Sequence, residues 1–220
     1  MEGPNEINIF LVGKTGIGKS SLGNTILGDS LFKEKTSPTS ETDVGKDERK
    51  YINGVPINVI DTPGFFDTNM DEETLKREII DSVKLCAPKI DAFLIVLRVD
   101  RYSKQEKEII KEIEQCFSEE ALKHAVVVFT HGDQLEDGMT IEDFVEKHSD
   151  LKKLVERCGG RCHVVDNKYW KEKQEGYRSN KFQAEQLLNT IKTMINNQGY
   201  YTNTFLKLWL QQEFQLWVEQ

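Results

Sequence analysis

An apolar run, Ile7-Asn8-Ile9-Phe10-Leu11-Val12, delivers the chain directly into Gly13-Lys14-Thr15-Gly16-Ile17-Gly18-Lys19-Ser20, the pattern GxxxxGK[ST]. This pattern constrains the fold together with the chemistry. It wants a buried strand behind it, a helix in front, and glycines where the backbone must wrap so that its N–H groups point inward. The stretch from Ser20 to Leu27, ending at Gly28, is compatible with that helix. Gly13, Lys14, Thr15, Gly16, Ile17, Gly18, Lys19, Ser20 and Ser21 are therefore the expected phosphate-binding residues. Lys19 brings a cation to the β and γ oxygens, and Ser20 offers its hydroxyl to Mg2+.

At 220 residues the chain has room for one α/β domain with a full core and a small appendage. Its 29 Lys and Arg against 37 Asp and Glu leave a net charge of −8, which argues against a nucleic-acid backbone as partner. No segment approaches the roughly 20 apolar residues that span a bilayer, and no basic flank followed by a long apolar run stands at the N-terminus. The expected location is cytoplasmic, with Cys86, Cys116, Cys158 and Cys162 reduced. The spacing Cys158-Gly-Gly-Arg-Cys162-His163 lacks a further ligand and fits no common zinc pattern.

Asp29 to Lys46 is polar and shows neither helical nor strand periodicity, so it reads as a loop. Arg49 to Ile52, the pair Asn53-Gly54, and Val55 to Ile60 read as two strands joined by a tight hairpin. Glu72 to Cys86 has helical spacing, and Asp91 to Leu97 is a buried-type strand. The alternation continues with a helix from Lys104 to Cys116 and a strand from Ala125 to Phe129. Helix in one or two pieces from Ile141 to Arg157 and a short strand from His163 to Val165 follow. Asp166 to Ser179 is charged and irregular. Ser179 then caps a helix that reaches about Asn197 and stops at Gly199. From Tyr200 onward, Phe205, Leu208, Trp209, Leu210, Phe214, Leu216 and Trp217 fit an amphipathic helix. Strands alternating with helices imply an α/β fold with a mostly parallel central sheet covered on both faces.

A phosphate loop alone leaves ATPases, kinases and GTPases open. Asp61-Thr62-Pro63-Gly64 follows a buried strand, where the Asp61 carboxylate can hold Mg2+ and the Gly64 N–H can bond the γ-phosphate. Residues 62 to about 71 then form a switch segment. The loop after the first helix should supply a further hydroxyl to Mg2+, from Thr42 or Thr39. Thr130-His131-Gly132-Asp133 follows the strand ending at Phe129. One carboxylate there can accept the adjacent N1–H and amine of guanine, whereas adenine would leave it unpaired, so Asp133 favours GTP over ATP. Thr130 and His131 replace the first two residues of the usual Asn-Lys-x-Asp sequence. Asn167, or its neighbour Lys168, is expected to contact the base from the last strand.

These elements in this order resemble the GIMAP family, the immunity-associated GTPases related to septins and chloroplast-import GTPases. GKTGIGKSSLGNTILG, IDTPGFFDT, the stretch from Leu97 through Arg101-Tyr102-Ser103 into the next helix, and VVVFTHGDQL are similar to the family's counterparts, over roughly residues 7 to 200. THGDQL is itself similar to fish-type members. Aligning Ser40-Glu41-Thr42 with the family's Ser-Val-Thr segment favours Thr42 over Thr39. The resemblance implies a P-loop GTPase domain over residues 1–198, a C-terminal amphipathic helix over 199–220, and GTP/GDP with Mg2+ as cofactors. It also implies a nucleotide-dependent homodimer or oligomer in which Arg101 acts across the pair on the partner's phosphates, and it leaves peripheral membrane association open. Lys19, Thr42 and Arg101 are then the expected catalytic residues, and Ser20, Thr42 and Asp61 the metal ligands. Phe65 and Phe66 stand where a water-orienting glutamine would follow the Asp-x-x-Gly turn, so intrinsic hydrolysis is expected to be slow. Two functions from different classes follow: a GTP-dependent switch that hydrolyses slowly unless paired, and a GTP-loaded assembly scaffold.

Overall fold

The computed structural model describes residues 6–32, 46–62, 72–86, 89–99 and 104–202. The strands are β1 (Ile7–Val12), β2 (Lys46–Ile52), β3 (Val55–Asp61), β4 (Ala92–Arg98), β5 (Ala125–Thr130) and β6 (Cys162–Val164). The helices are α1 (Lys19–Leu27), α2 (Glu72–Lys84), α3 (Lys104–Phe117), α4 (Glu120–Lys123), α5 (Ile141–Glu146), α6 (Ser149–Arg157) and α7 (Asn180–Gln198), with a 3₁₀ turn at Gly132–Gln134. The strands form one sheet in the order β2-β3-β1-β4-β5-β6, parallel throughout except for the antiparallel β2.

The strand sequences explain this layering. Every residue of β1 and β5 is buried, as expected of apolar strands covered on both faces. Alternate residues serve opposite layers. Phe10, Val12, Phe93, Ile95 and Val127 join a core that takes Val83 of α2, Ile113 of α3 and Leu154 of α6. Ile9, Leu11, Leu94, Val96 and Val126 join a second core with Leu22 and Ile26 of α1 and Leu187 and Ile191 of α7. The mostly parallel sheet with helices on both faces is therefore as the alternation implied.

The hairpin is also present: Asn53 and Gly54 both adopt positive φ, 51° and 77°, as a two-residue turn between right-twisted strands needs. Its first strand begins earlier than the apolar pattern suggested, because Lys46, Asp47 and Glu48 pair with Asp61, Ile60 and Val59 at the sheet edge. Charged residues suit an exposed edge, where they discourage pairing with another chain. The segment expected as one or two helices is two, with Thr140 and Asp143 forming a reciprocal capping box at the start of α5. α4 was not expected.

Ser179 Oγ accepts from Phe182 N at 3.4 Å at the head of α7, and Gly199 closes its end. Tyr201 then pairs with Ile90 in an antiparallel bridge, buries its ring against Phe93 at 5.1 Å between centroids, and donates its hydroxyl to the Phe117 carbonyl. Of the amphipathic helix expected over 199–220, residues 199–202 are not helical, Tyr201 standing in the bridge to Ile90, and residues 203–220 lie outside the described residues. Among the described residues no helix is long and apolar enough to cross a membrane.

The parallel strands all end on one side of the sheet. β1 lies between β3 and β4, so the chain leaves it first toward one edge and later toward the other. Such a reversal of strand order opens a crevice outside the carboxyl ends of the strands.

Candidate nucleotide site

The phosphate loop lies in this crevice, between the end of β1 and α1. Gly18 adopts φ 101°, a left-handed conformation that aims the chain into α1, and no side chain caps that helix. Its first N–H groups are thus available to an anionic ligand. Gly13 passes so near β4 that a Cβ there would lie 2.8 Å from the Val96 carbonyl oxygen. Thr15 and Gly16 are exposed, Ile17 is buried beneath the loop, and Lys14 and Ser21 are half-buried.

Lys19 folds back over the loop, its Nζ donating to the carbonyls of Gly13 and Lys14, both at 3.0 Å. Ser20 Oγ donates to Asp61 Oδ2 at 2.5 Å, which joins the first turn of α1 to the end of β3. Thr62, fully buried, donates its hydroxyl to the Leu11 carbonyl at 2.7 Å and so fixes the residue that follows Asp61. Burial lowers the pKa of Lys19, with the Asp61 carboxylate opposing. Burial likewise raises that of Asp61, against the opposing effects of Lys19, the Ser20 bond and Lys46. The protein alone disfavours both charges. Anionic oxygens beside Lys19 and a divalent cation beside Ser20 and Asp61 would supply what each lacks. Among the described residues no three His, Cys, Asp or Glu converge as a metal cage. A hydroxyl–carboxylate pair nevertheless fits Mg2+, which keeps waters and shares phosphate oxygens.

The second half of the site lies at the ends of β5 and β6. Thr130 is buried and donates to the Ile17 carbonyl at 2.8 Å, which ties this half to the phosphate loop. His131 takes φ 60° and sets Nδ1 3.0 Å from Thr130 Oγ1. Asp133, in the 3₁₀ turn, is half-buried, and its Oδ2 accepts from Gln134 Nε2 at 2.7 Å. Asn167 brings its amide nitrogen to 2.6 Å from where a Gly18 Cβ would sit, while its buried Oδ1 has no hydrogen-bond partner. A buried unmatched acceptor between the loops suits a ligand that brings a donor. The phosphate loop is thus joined to Asp61 through Ser20, to Thr130 through Ile17 and to Asn167 through its approach to Gly18, with His131 and Asp133 following Thr130 in the chain. Thr42, Thr39, Gly64, Phe65, Phe66 and Arg101 lie outside the described residues.

Thr62 and the Thr130–Ile17 bond took on anchoring work that their motifs did not reveal, since each depends on a carbonyl supplied by a distant strand or loop.

A family model described as the AIG1 family matches residues 7–220. Over 201 residues the chain is 33% identical to GTPase IMAP family member 8 of Homo sapiens, covering 90% of this chain and 29% of that protein. It is 36% identical over 203 residues to Immune-associated nucleotide-binding protein 10 of Arabidopsis thaliana, covering 90% and 43%. The chain spans less than half the length of either relative. Among solved structures, Toc33 from Arabidopsis thaliana in complex with Mg2+ and GMPPNP superposes with a TM-score of 0.69 at 23% identity, over 91% of this chain and 89% of that one. Another, also at TM-score 0.69 and 23% identity over 91% and 87%, is described with the statement that dimerisation is important for the GTPase activity of the chloroplast translocon components atToc33 and psToc159. At this identity the likeness shows the shared fold.

Proposed function

The chain belongs to the AIG1 family, and from that premise we propose that it is a guanine-nucleotide switch that binds GTP or GDP with Mg2+. In this reading it hydrolyses GTP slowly and is stimulated when two copies pair across their nucleotide faces. The observation that supports the nucleotide assignment is that Lys19, Ser20 and Asp61 are joined to the loops after β5 and β6, by the Thr130 bond to the Ile17 carbonyl and the approach of Asn167 to Gly18. Lys19 binds and orients the phosphates. Ser20 and Asp61 hold Mg2+, which when bound neutralises charge on the β and γ oxygens. Asp133 accepts from the guanine edge, and Asn167 faces the base from the opposite loop.

Asp61 gives this assignment a pH signature. Its pKa in the fold is raised, so its proton is held more tightly than in the unfolded chain. The nucleotide-free protein therefore gains stability as pH falls through that raised value, and Mg2+ must displace the proton. The Mg2+-dependent part of GDP affinity should rise as pH approaches that raised value from below, by at most about tenfold per pH unit. Calorimetric titrations with and without Mg2+ should show this slope in the native protein and none in Asp61→Asn.

Hydrolysis is assigned on the family premise, on Arg101 in the segment after β4, and on the dependence of activity on dimerisation described for atToc33 and psToc159. GTP turnover per molecule should increase with protein concentration, and Arg101→Ala should abolish the increase while GTP binding stays intact. A turnover rate that does not change with concentration would remove the paired mechanism. Phe65 and Phe66, in place of a water-orienting glutamine, support the second reading of a GTP-loaded scaffold. Tightly held GTP that survives for hours in the purified protein would select it.

A further inference from the structure

Asp166 is an acidic side chain buried to 1% exposure, two residues beyond the end of β6. Asn180, the first residue of α7, pins its main chain from both sides: Asp166 N donates to Asn180 Oδ1 at 3.0 Å, and Asn180 Nδ2 donates to the Asp166 carbonyl at 2.7 Å. The carboxylate is then divided between two loops. Oδ1 accepts from Lys168 N at 2.9 Å and from Tyr169 N, closing the turn that contains Asn167. Oδ2 accepts from Asp133 N at 3.2 Å, on the loop after β5.

Closing a turn is an ordinary task for aspartate and accounts for the bonds to Lys168 and Tyr169. It does not account for the bond to Asp133, nor for burying an anion where asparagine could close the same turn at lower desolvation cost. Burial pushes the carboxyl up, but the Tyr169 N–H, the Asp133 side chain, and the N–H groups of Lys168 and Asp133 outweigh it and hold the group below its ordinary range. The surrounding contacts tighten the same junction. Gly132 N donates to the Val165 carbonyl at 3.0 Å, and the Trp170 ring packs where a Gly132 Cβ would be only 2.5 Å away. Arg178 lies over that ring at 6.0 Å and donates to the Leu135 carbonyl at 3.1 Å.

We propose that Asp166 is a positioning residue for base recognition, whose single carboxylate, bonded to Asp133 N and to the turn holding Asn167, sets the separation of the two residues that read the nucleotide base. This rests on the guanine-nucleotide reading above. In Asp166→Asn one acceptor oxygen becomes a donor, which must face either the Asp133 N–H or the turn N–H groups, and the bridge that the carboxylate makes between the two loops is broken.

The test titrates the full chain with GDP and with ADP in the presence of Mg2+. ADP carries the same ribose and phosphates and so reports on the phosphate loop alone. In Asp166→Asn, GDP should bind about tenfold more weakly, the loss expected from one charge-assisted hydrogen bond, while ADP affinity stays unchanged. The GDP-to-ADP preference then narrows by the same factor. A preference equal to that of the native protein overturns the proposal, whether both affinities hold or both fall together. Should Asp166→Asn fail to fold by circular dichroism, Asn180→Ala frees the Asp166 main chain, keeps the carboxylate and is judged by the same ratio. A native protein with no preference for GDP over ADP contradicts the guanine reading, and this proposal falls with it. A native preference that Asp166→Asn retains sinks the proposal alone.

Discussion

Lys19→Met is expected to weaken GDP binding by roughly two to three orders of magnitude, corresponding to about 3–4 kcal/mol for two lost charge-assisted hydrogen bonds. The nucleotide-free fold should be nearly as stable as before. The physical reason lies in where the ammonium sits. It is buried, donates to two loop carbonyls, and has its pKa lowered because burial disfavours the charge. Methionine keeps the length and the apolar stem. It leaves those carbonyls without a donor but also removes the cost of a buried cation, and the two effects oppose each other. The linkage has a definite sign. A lowered lysine pKa means that the nucleotide-free protein gains stability as pH rises from the folded value toward the ordinary lysine range, and Lys19→Met should lack that slope. Calorimetry with GDP and a melt after nucleotide removal check both halves. GDP affinity within tenfold of the native protein would remove Lys19 from the phosphates.

Asp133→Asn should reverse base preference, not merely lower affinity. Guanine presents two donors side by side, and a carboxylate accepts both. An asparagine there offers one acceptor and one donor. Xanthine, which carries a carbonyl in place of the guanine amine, matches that pair. A site built for hydrogen bonding discriminates strongly because the wrong edge leaves buried groups unpaired. The ratio of GDP to xanthosine diphosphate affinity should therefore fall by about three orders of magnitude or more. The two-sided hold on this loop, through Thr130 on the phosphate loop and Trp170 beneath Gly132, predicts that the substitution leaves the backbone in place. If Asp133→Asn still prefers GDP as strongly as the native protein, the base is read by other groups.

Much of this architecture is written locally in the chain. β1 and β5 are continuous apolar runs because they are buried on both faces, and α7 is bracketed by Ser179 and Gly199. The phosphate loop is contiguous, so its chemistry and geometry coincide in one stretch. What could not be read depends on distant partners. The front of β2 is Lys46-Asp47-Glu48, polar residues that become a strand because β3 offers an edge. Tyr201 adds its bridge only because Ile90 waits beside it. Asp166 stands within a charged, irregular stretch, and its significance appears only when folding sets it against the Asp133 N–H, 33 residues earlier in the chain. Motifs disclose which groups meet the ligand. They are silent about the groups that keep those residues apart at the right distance.

The proposed site grips phosphates at Lys19, Ser20 and Asp61 and reads guanine at Asp133. Its most direct test is a pair of calorimetric titrations of the nucleotide-free native chain, with Mg2+, against GDP and against ADP. A guanine site should prefer GDP by at least about a hundredfold, as expected where a carboxylate meets two donors on one base and none on the other. Equal affinities, or a preference for ADP, would contradict a guanine site.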